Sequence, residues 1–180
     1  MESEKEKIKA EILPNLNSID LEDLTSASAE TMRETMGFNI GTQNGAQIDM
    51  GKLENYWNGV TLVPERILVV GRMEQSIAGA LELVRPSSAN KQITAFACSV
   101  ENFFIAPWAR GNGLANEILG LAERHAKSLG YSLIKISVRQ TRQSAIKVFE
   151  KRGYIKWGTL PRYEYDQGVI VPGFFYYKDL

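Results

Sequence analysis

The segment Ile105-Ala106-Pro107-Trp108-Ala109-Arg110-Gly111-Asn112-Gly113-Leu114-Ala115 decides the fold of this chain. Its order of residue types predicts an apolar strand, a sharp turn with two glycines, and then the start of an amphipathic helix. A helix that begins at such a turn presents free backbone N–H groups and the positive end of its dipole, which together form a site for phosphate. Glycine lets the backbone approach an anion closely because it has no Cβ. The same pattern also occurs as a plain connection, so the sequence downstream has to decide between the two.

Length and charge limit the kinds of protein that this chain can be. A chain of 180 residues, of which 44% are hydrophobic, can bury one core but is too short for two ordinary domains. We therefore expect a single domain over residues 1–180, with a charged N-terminal extension over residues 1–20. The 21 basic residues are balanced by 21 acidic ones, so the overall charge gives no reason to expect nucleic acid or a membrane surface as a partner.

The rare residue types and the apolar runs exclude further classes. Cys98 is the only cysteine, which rules out an intramolecular disulfide, and its place in a strand pattern predicts a small core residue. His125 is the only histidine, so a zinc site would need mostly carboxylate ligands, and we expect no metal. The start of the chain has no apolar signal segment, and no run approaches the roughly 18 apolar residues that span a membrane. The expected location is the cytoplasm.

The order of predicted elements favours a mixed α+β fold over a doubly wound one. Hydrophobic periodicity predicts helices over residues 50–60, 112–129 and 141–152, and residues 21–36 form a polar, helix-compatible stretch with weak periodicity. Short apolar runs predict strands over residues 66–71, 77–84, 93–106, 133–138, 154–157 and 170–177, the first two of which form a hairpin. The charged residues 1–12 are expected to be frayed or helical at the surface, and residues 37–51 are expected to form a loop.

Two motifs resemble, in order and spacing, the GNAT superfamily of acetyl-CoA-dependent N-acetyltransferases. The pyrophosphate loop of that family, R/Q-x-x-G-x-G/A, is matched by Arg110–Ala115, and the strand ending V-x-P before it is matched by Ile105–Pro107. The family's ending A-hydrophobic-x-hydrophobic-aromatic-E-K-x-G-F/Y is matched by Ala145–Tyr154. The resemblance covers residues 66–180, whereas residues 1–60 are similar to the family's helical N-terminal region only in general character.

The resemblance implies the GNAT fold, a mixed and mostly antiparallel twisted sheet of about six to seven strands flanked by about four helices. It also implies acetyl-CoA as the acyl donor and transfer of the acetyl group to a primary amine by direct attack in a ternary complex. The acceptor would be a small-molecule amine or a protein amino group, and the sequence leaves its identity open. A monomer and a homodimer are both compatible with the resemblance.

By this resemblance, acetyl-CoA lies between the strand that ends at Ala106 and the strand over residues 133–138. Its pyrophosphate is expected on backbone N–H groups of the glycine turn, and its pantetheine arm is expected to pair with the strand before that turn. Basic residues around the last helix suit the 3′-phosphate, although such residues also form ordinary solvated helix faces. The expected cofactor-binding residues are Phe103, Phe104, Ile105, Arg110, Gly111, Asn112, Gly113, Leu114, Ala115, Arg142, Phe149 and Lys151.

Glu101 is the candidate general base because it lies on the strand beside the expected thioester, where a carboxylate is costly to bury without a partner or a function. An outward-facing glutamate on a strand flank is the alternative. The tyrosine that often protonates the leaving thiolate in this family is replaced by Phe149, and a common asparagine is replaced by Arg142. Three explanations stay open: another tyrosine serves, the thiolate leaves without a specific acid, or the chain binds CoA without much turnover.

Three tyrosines at and after the end of the second motif could supply the missing proton. Of these, Tyr154 is the candidate catalytic residue. Tyr163 and Tyr165 are candidate contacts of the acceptor, because β-hairpins in this part of the family help to wall the acceptor site. Trp108, beside the glycine turn, is a candidate to cover the cofactor.

Other classes of protein compete with an enzyme. A non-catalytic acyl-CoA-binding or regulatory domain with the GNAT fold is the main alternative, and Phe149 is its best support. A purely structural interaction protein would have no reason to keep a glycine turn between two matched motifs. A dinucleotide-binding module is disfavoured because Asn116 occupies the third glycine position of its fingerprint, and the Gly-Lys-Ser/Thr of a P-loop is absent.

Overall fold

Alternating apolar residues form the central strands of one sheet, which has seven strands in the part of the chain that the structure describes. A computed structural model describes residues 8–35, 48–86 and 95–180. The strands are β1 (Ile8–Leu13), β2 (Arg66–Met73), β3 (Ser76–Val84), β4 (Ala97–Ile105), β5 (Leu133–Arg139), β6 (Ile155–Asp166) and β7 (Val169–Asp179). The α-helices in these ranges are α1 (Ser18–Thr35), α2 (Met50–Leu62), α3 (Leu114–Ser128) and α4 (Gln143–Lys151).

The strands lie in the order β1-β2-β3-β4-β5-β7-β6. Neighbouring strands pair in antiparallel fashion except β4 and β5. These two strands are parallel and are paired only from Ala97 with Leu133 to Val100 with Ile136. Beyond that point they separate, and within the described residues the edge of β4 that faces β5 has no strand partner over Glu101–Ile105. The separation opens a wedge in the middle of the sheet.

Alternation along the strands divides the core between the two faces of the sheet. In β2, Val69 belongs to one buried cluster, whereas Leu68 and Val70 belong to another. The cluster of Val69 packs against α3 and α4, and we call that side the α3/α4 face; the second cluster packs against α1 and α2, on the α1/α2 face. Most of the predicted apolar side of α3 is buried in the first cluster, as Leu114, Ile118, Leu119, Ala122 and Ala126.

The predicted α+β fold is confirmed, with a mostly antiparallel sheet and helices on both faces. The expectation for residues 8–12 is wrong, because they lie in β1 rather than in a frayed or helical segment. Ile8, Ala10 and Ile12 alternate with charged residues and pack against the core of the α3/α4 face. The charges are accommodated by pairing, since Glu11 lies 2.5 Å from the guanidinium of Arg72 on β2.

The last predicted strands differ from the observed ones in length. The strand predicted over residues 154–157 continues to Asp166, because β6 is an edge strand whose extent is set by pairing with β7 and not by an apolar pattern. Most of the loop predicted over residues 37–51, and the beginning of the strand predicted over residues 93–106, lie outside the described residues. None of the helices in the described ranges combines the length and the hydropathy that a membrane crossing requires.

Candidate active site

The wedge between β4 and β5 opens into a groove of about 830 Å³. Its walls are the separated parts of the two strands, and its ends are formed by the glycine turn before α3 and by the first turns of α4. Residues of β6 complete one side. The groove therefore reaches the point where the sheet splits, and both faces of the sheet contribute side chains to it.

The glycine turn at one end of the groove has the geometry of an anion site. Gly111 has a φ of +81° and Gly113 a φ of +84°, a left-handed conformation that side chains disfavour. A Cβ built at Gly111 would meet no atom within 4 Å, so open space and not packing surrounds the turn. Gly113 is the N-cap of α3 without a side-chain cap, and within the described residues the N–H groups of Leu114 and Ala115 donate no hydrogen bond.

The polar side chains of the same turn brace the loop. Arg110 donates from Nε to the carbonyl oxygen of Ile105 at 3.2 Å, and its Nη1 lies 2.7 Å from a carboxylate oxygen of Glu34 at the end of α1. Asn112 turns its amide back to the carbonyl oxygens of Ala109 and Arg110, at 3.3 Å and 3.2 Å. The groups of this turn that are left for an anion are therefore its backbone N–H groups.

The floor of the groove on the α3/α4 face is apolar. Phe149 is 1% exposed, and the centre of its ring lies 6.1 Å from that of Phe103 on β4 and 5.8 Å from that of Tyr154. Ile105 packs against the same cluster, whereas Phe104 packs into the core of the α1/α2 face. At the position where the related motif often has a hydroxyl, the groove thus has only a hydrocarbon ring.

A β-bulge at the mouth of the wedge breaks the pairing of β3 with β4. Glu82 pairs with Glu101, but the next pair joins Ala80 to Phe104, so β4 has one more residue than β3 in this interval. Asn102 takes up the extra length with a φ of +49°, a left-handed conformation that asparagine tolerates better than most residues. Its amide donates to a carboxylate oxygen of Glu82 at 2.7 Å, which holds the bulge to β3.

A network of two carboxylates lies at this bulge on the α1/α2 face. Glu82 is fully buried, and it accepts hydrogen bonds from the hydroxyl of Tyr56 at 2.5 Å and from Arg66. Arg66 also lies 3.0 Å from Glu101, whose side chain is 45% exposed and lines the groove. Burial, together with the hydrogen bond to Glu82, raises the pKa of Tyr56. Glu82 is thus the buried carboxylate of the network and Glu101 the accessible one.

The opposite side of the groove carries a hydroxyl pair and a buried cation. The hydroxyl oxygens of Ser137 on β5 and Tyr163 on β6 lie 2.7 Å apart, and burial raises the pKa of Tyr163. Arg139 is 5% exposed and lies 3.5 Å from Glu164. Arg142 follows at the start of α4, where burial and then the charge of Arg139 lower its pKa.

The structure brings most of the predicted site residues together in this groove. The predicted residues that line it are Glu101, Phe103, Phe104, Ile105, Arg110, Gly111, Gly113, Leu114, Ala115, Arg142, Phe149 and Tyr163. Asn112, Lys151, Tyr154 and Tyr165 are not among its lining residues.

The four exceptions have different reasons, and for Asn112 the reason is that its amide turns back onto its own loop. Tyr154 is 4% exposed in the core beneath Phe149, and burial raises the pKa of its hydroxyl. Tyr165 is 67% exposed on β6, and Lys151 is exposed at the end of α4. Trp108, the candidate cover of the cofactor, lines a separate cavity between α1 and the β2–β3 turn.

The sequence patterns did not predict four residues of the hydrogen-bond network at the bulge of β4, namely Tyr56, Arg66, Glu82 and Asn102. One signal for them was present, because Glu82 is the single charged residue inside the apolar run of residues 77–84. A carboxylate in such a run requires a partner, and its partners come from β2, α2 and β4. Their identity could not be predicted, since α2 and the bulge are brought to β3 only by the tertiary fold.

Comparison with known proteins agrees with this geometry. The Acetyltransferase (GNAT) family matches residues 32–154 of the chain. A protein of Azospirillum brasilense named "Uncharacterized N-acetyltransferase in hisH-hisA intergenic region" is 35% identical over 136 residues, which are 76% of this chain and 78% of that protein.

Solved structures show the same fold at low sequence identity. A GCN5-related N-acetyltransferase from Kribbella flavida superposes with a TM-score of 0.75 at 17% identity, covering 98% of this chain and 99% of that one. Spermidine N-acetyltransferase from Vibrio cholerae, in complex with CoA and spermine, superposes with a TM-score of 0.74 at 16% identity, covering 97% of this chain and 96% of that one.

Proposed function

Since this chain belongs to the GNAT family of acetyltransferases, we propose that it transfers the acetyl group of acetyl-CoA to a primary amine by direct attack in a ternary complex. The observation that carries the proposal is the wedge between β4 and β5, which ends at a glycine turn with free backbone N–H groups. A similar fold in the Vibrio cholerae enzyme holds CoA, which supports a CoA site here. The acceptor is a small-molecule amine or a protein amino group.

In this proposal acetyl-CoA lies along the open edge of β4. Its pyrophosphate accepts hydrogen bonds from the N–H groups that begin α3, where the helix dipole also favours a negative charge. Its pantetheine arm pairs with the backbone of Glu101–Ile105 in the place of a missing strand. The acetyl group then reaches the bulge, between the apolar floor at Phe149 and the carboxylate of Glu101.

Glu101 is the general base of the proposed reaction. The acceptor arrives as an ammonium ion, which cannot attack a carbonyl carbon until it loses a proton. Glu101 is exposed to the groove, and its ion pair with Arg66 fixes its position at the mouth of the wedge. The neutral amine attacks the acetyl carbonyl carbon, the C–S bond breaks, and the thiolate of CoA leaves. The nitrogen then loses its second proton to water, which leaves a neutral amide.

A non-catalytic acyl-CoA-binding domain is the second candidate, and the specific observation in its favour is Phe149. The ring of this residue offers no proton at a position where related sequences often have a tyrosine, and Tyr154 is buried beneath it. A thiol has an ordinary pKa of about 8.5, so a thiolate can leave without a strong acid, and the enzyme remains the better proposal.

Release of CoA in the presence of amines decides between the two candidates. The purified protein is incubated with acetyl-CoA and with spermidine, lysine or hydroxylamine, and free thiol is measured against a blank without protein. We expect amine-dependent release of CoA with at least one of these acceptors. Tight binding of acetyl-CoA without any release would favour the non-catalytic domain.

A further inference from the structure

Strand β6 contains a bulge that brings one tyrosine to the groove. Pairing of β6 with β7 joins Leu160 to Gly173 and then Glu164 to Val171. The intervening residues of β6, from Pro161 to Tyr163, therefore face a single residue of β7. The excess length lets the chain of β6 fold over β7 at this point, instead of running beside it.

The ring of Tyr163 occupies the space above Gly173 of β7. A Cβ built at Gly173 would lie 2.7 Å from the Cβ of Tyr163 and closer still to its ring, so any side chain at position 173 would displace the tyrosine. The ring also packs edge-on against Phe175, with centres 5.5 Å apart. The missing side chain of Gly173 thus allows Tyr163 to cross β7 and reach β5.

The hydroxyl of Tyr163 ends beside the point where the sheet splits. It lies 2.7 Å from the hydroxyl of Ser137, which directly follows Ile136 on β5. Ile136 and Val100 form the last pair of the parallel ladder, so Glu101 and Ser137 are the first residues beyond the split on the two strands. Because Val100 and Ile136 point to the α3/α4 face, Glu101 and Ser137 both point to the α1/α2 face.

We propose that Tyr163 is the catalytic residue that donates a proton to the leaving thiolate of CoA, with Ser137 as its hydrogen-bond partner. This inference rests on the proposed function and assigns the acid that the sequence pattern lacks. When the amine nitrogen bonds to the acetyl carbon and the C–S bond breaks, the electron pair goes to sulfur. Sulfur takes the hydroxyl proton of Tyr163, and the phenolate regains a proton from water through Ser137. Glu101 takes the proton of the ammonium ion before the attack and passes it to solvent. Once the nitrogen is bonded to the acetyl carbon it gives a second proton to water, so the products are a neutral amide and the thiol of CoA.

The other aromatic side chains near the groove are less suited to this step. Phe149 has no hydroxyl, Tyr154 is buried in the core, and Tyr165 is exposed away from the groove. Burial raises the pKa of Tyr163, so its hydroxyl is protonated at neutral pH. Since a thiol is more acidic than a phenol, the main effect of Tyr163 is to stabilise the charge that develops on sulfur in the transition state.

The test compares Tyr163→Phe with Tyr177→Phe, which removes the same hydroxyl from the neighbouring strand β7 at a position that does not line the groove. Hydroxylamine is used as the acceptor because it is neutral at pH 7 and requires little help from a base. We measure kcat and the KM values for acetyl-CoA and hydroxylamine across the pH range. Tyr163→Phe is expected to lower kcat by about 100-fold with little change in either KM. Tyr177→Phe is expected to leave all three values within about twofold of wild type. Ser137→Ala is expected to give a smaller loss of kcat than Tyr163→Phe.

The outcomes separate this inference from the proposed function. A kcat of Tyr163→Phe within about twofold of wild type would overturn the assignment, and so would a rise in the KM for hydroxylamine with kcat unchanged, which marks a contact of the acceptor. An equal loss of kcat in Tyr177→Phe would also overturn it. A wild-type protein that releases no CoA with any amine would refute the proposed function itself, and the assignment with it.

Discussion

Phe149 shows at the scale of single residues how the chemistry of this groove differs from a common pattern. Its ring is buried between Phe103, Tyr154 and Tyr176 and forms a floor for the groove. Because the ring is a hydrocarbon, it cannot donate or accept a proton. The chain offers hydroxyl groups on the other side of the groove, at Ser137 and Tyr163. A tyrosine on a β-strand could thus replace one on a helix, because only the position of the hydroxyl relative to sulfur matters.

Glu101→Gln tests the proposed base. With spermidine or another protonated amine, kcat/KM is expected to fall by about 100-fold at neutral pH and to recover toward high pH, where solvent deprotonates the amine. With hydroxylamine the loss should be much smaller, because that acceptor is already neutral. The affinity for acetyl-CoA should not change. Glu164→Gln is the matched control, since it removes a carboxylate that lines the groove but is paired with Arg139.

An equal loss of activity with both acceptors would contradict the role of Glu101 as a base. Such a result would indicate that the carboxylate only orients the strand or its neighbour Arg66.

At the level of elements, the bulge of β4 begins where the pairing of β4 with β5 ends, at the mouth of the groove. The left-handed Asn102 is held by Glu82, which is in turn held by Tyr56 on α2 and Arg66 on β2. This fully buried carboxylate therefore joins the α1/α2 face to the bulge. Removal of one partner from a buried charge network leaves the other groups without compensation, which is costly.

Glu82→Gln is expected to lower the free energy of unfolding by about 3 kcal/mol, because it removes the buried charge opposite Arg66. Glu101→Gln is the matched control, since Glu101 pairs with the same Arg66 from an exposed position and should cost less than about 1 kcal/mol. Urea denaturation of both variants measures the difference. If Glu82→Gln and Glu101→Gln lost the same free energy of unfolding, the burial of Glu82 would add nothing to the effect of its charge. That result would contradict the stabilising role of the buried carboxylate at the bulge.

At the scale of the whole molecule, the sequence was sufficient where local pattern decides structure. Hydrophobic periodicity predicted the hairpin of β2 and β3 and the apolar side of α3. The conformational freedom of glycine predicted the turn before α3. β1 was missed because its charged residues hide an alternation that is stabilised by pairing with β2. The position of Tyr163 depends on a bulge of β6 and on Gly173 of the next strand, and neither the bulge nor the contact between the two residues is marked by an apolar pattern.

The split sheet separates two regions of the groove that the proposed reaction needs. The glycine turn and the apolar floor lie toward α3 and α4, whereas Glu101 and Ser137 point to the other face. In the proposed reaction the amine of the acceptor can therefore reach the acetyl carbonyl carbon of acetyl-CoA from the α1/α2 face. Both regions serve the reaction only if acetyl-CoA binds in the wedge with its pyrophosphate on the glycine turn, as we propose.

This binding mode is tested by calorimetric titration of acetyl-CoA into three proteins: the wild type, Gly113→Val and Gly130→Val. Adenosine diphosphate is the control ligand. Gly113 and Gly130 have φ values of +84° and +90°, so both substitutions strain the backbone, but only position 113 lies on the groove. We expect Gly130→Val to bind acetyl-CoA like the wild type. Gly113→Val is expected to bind acetyl-CoA at least about 100-fold more weakly, which is a loss of about 2.7 kcal/mol in binding free energy. Wild-type affinity in Gly113→Val, or no binding to the wild-type protein, would contradict this binding mode.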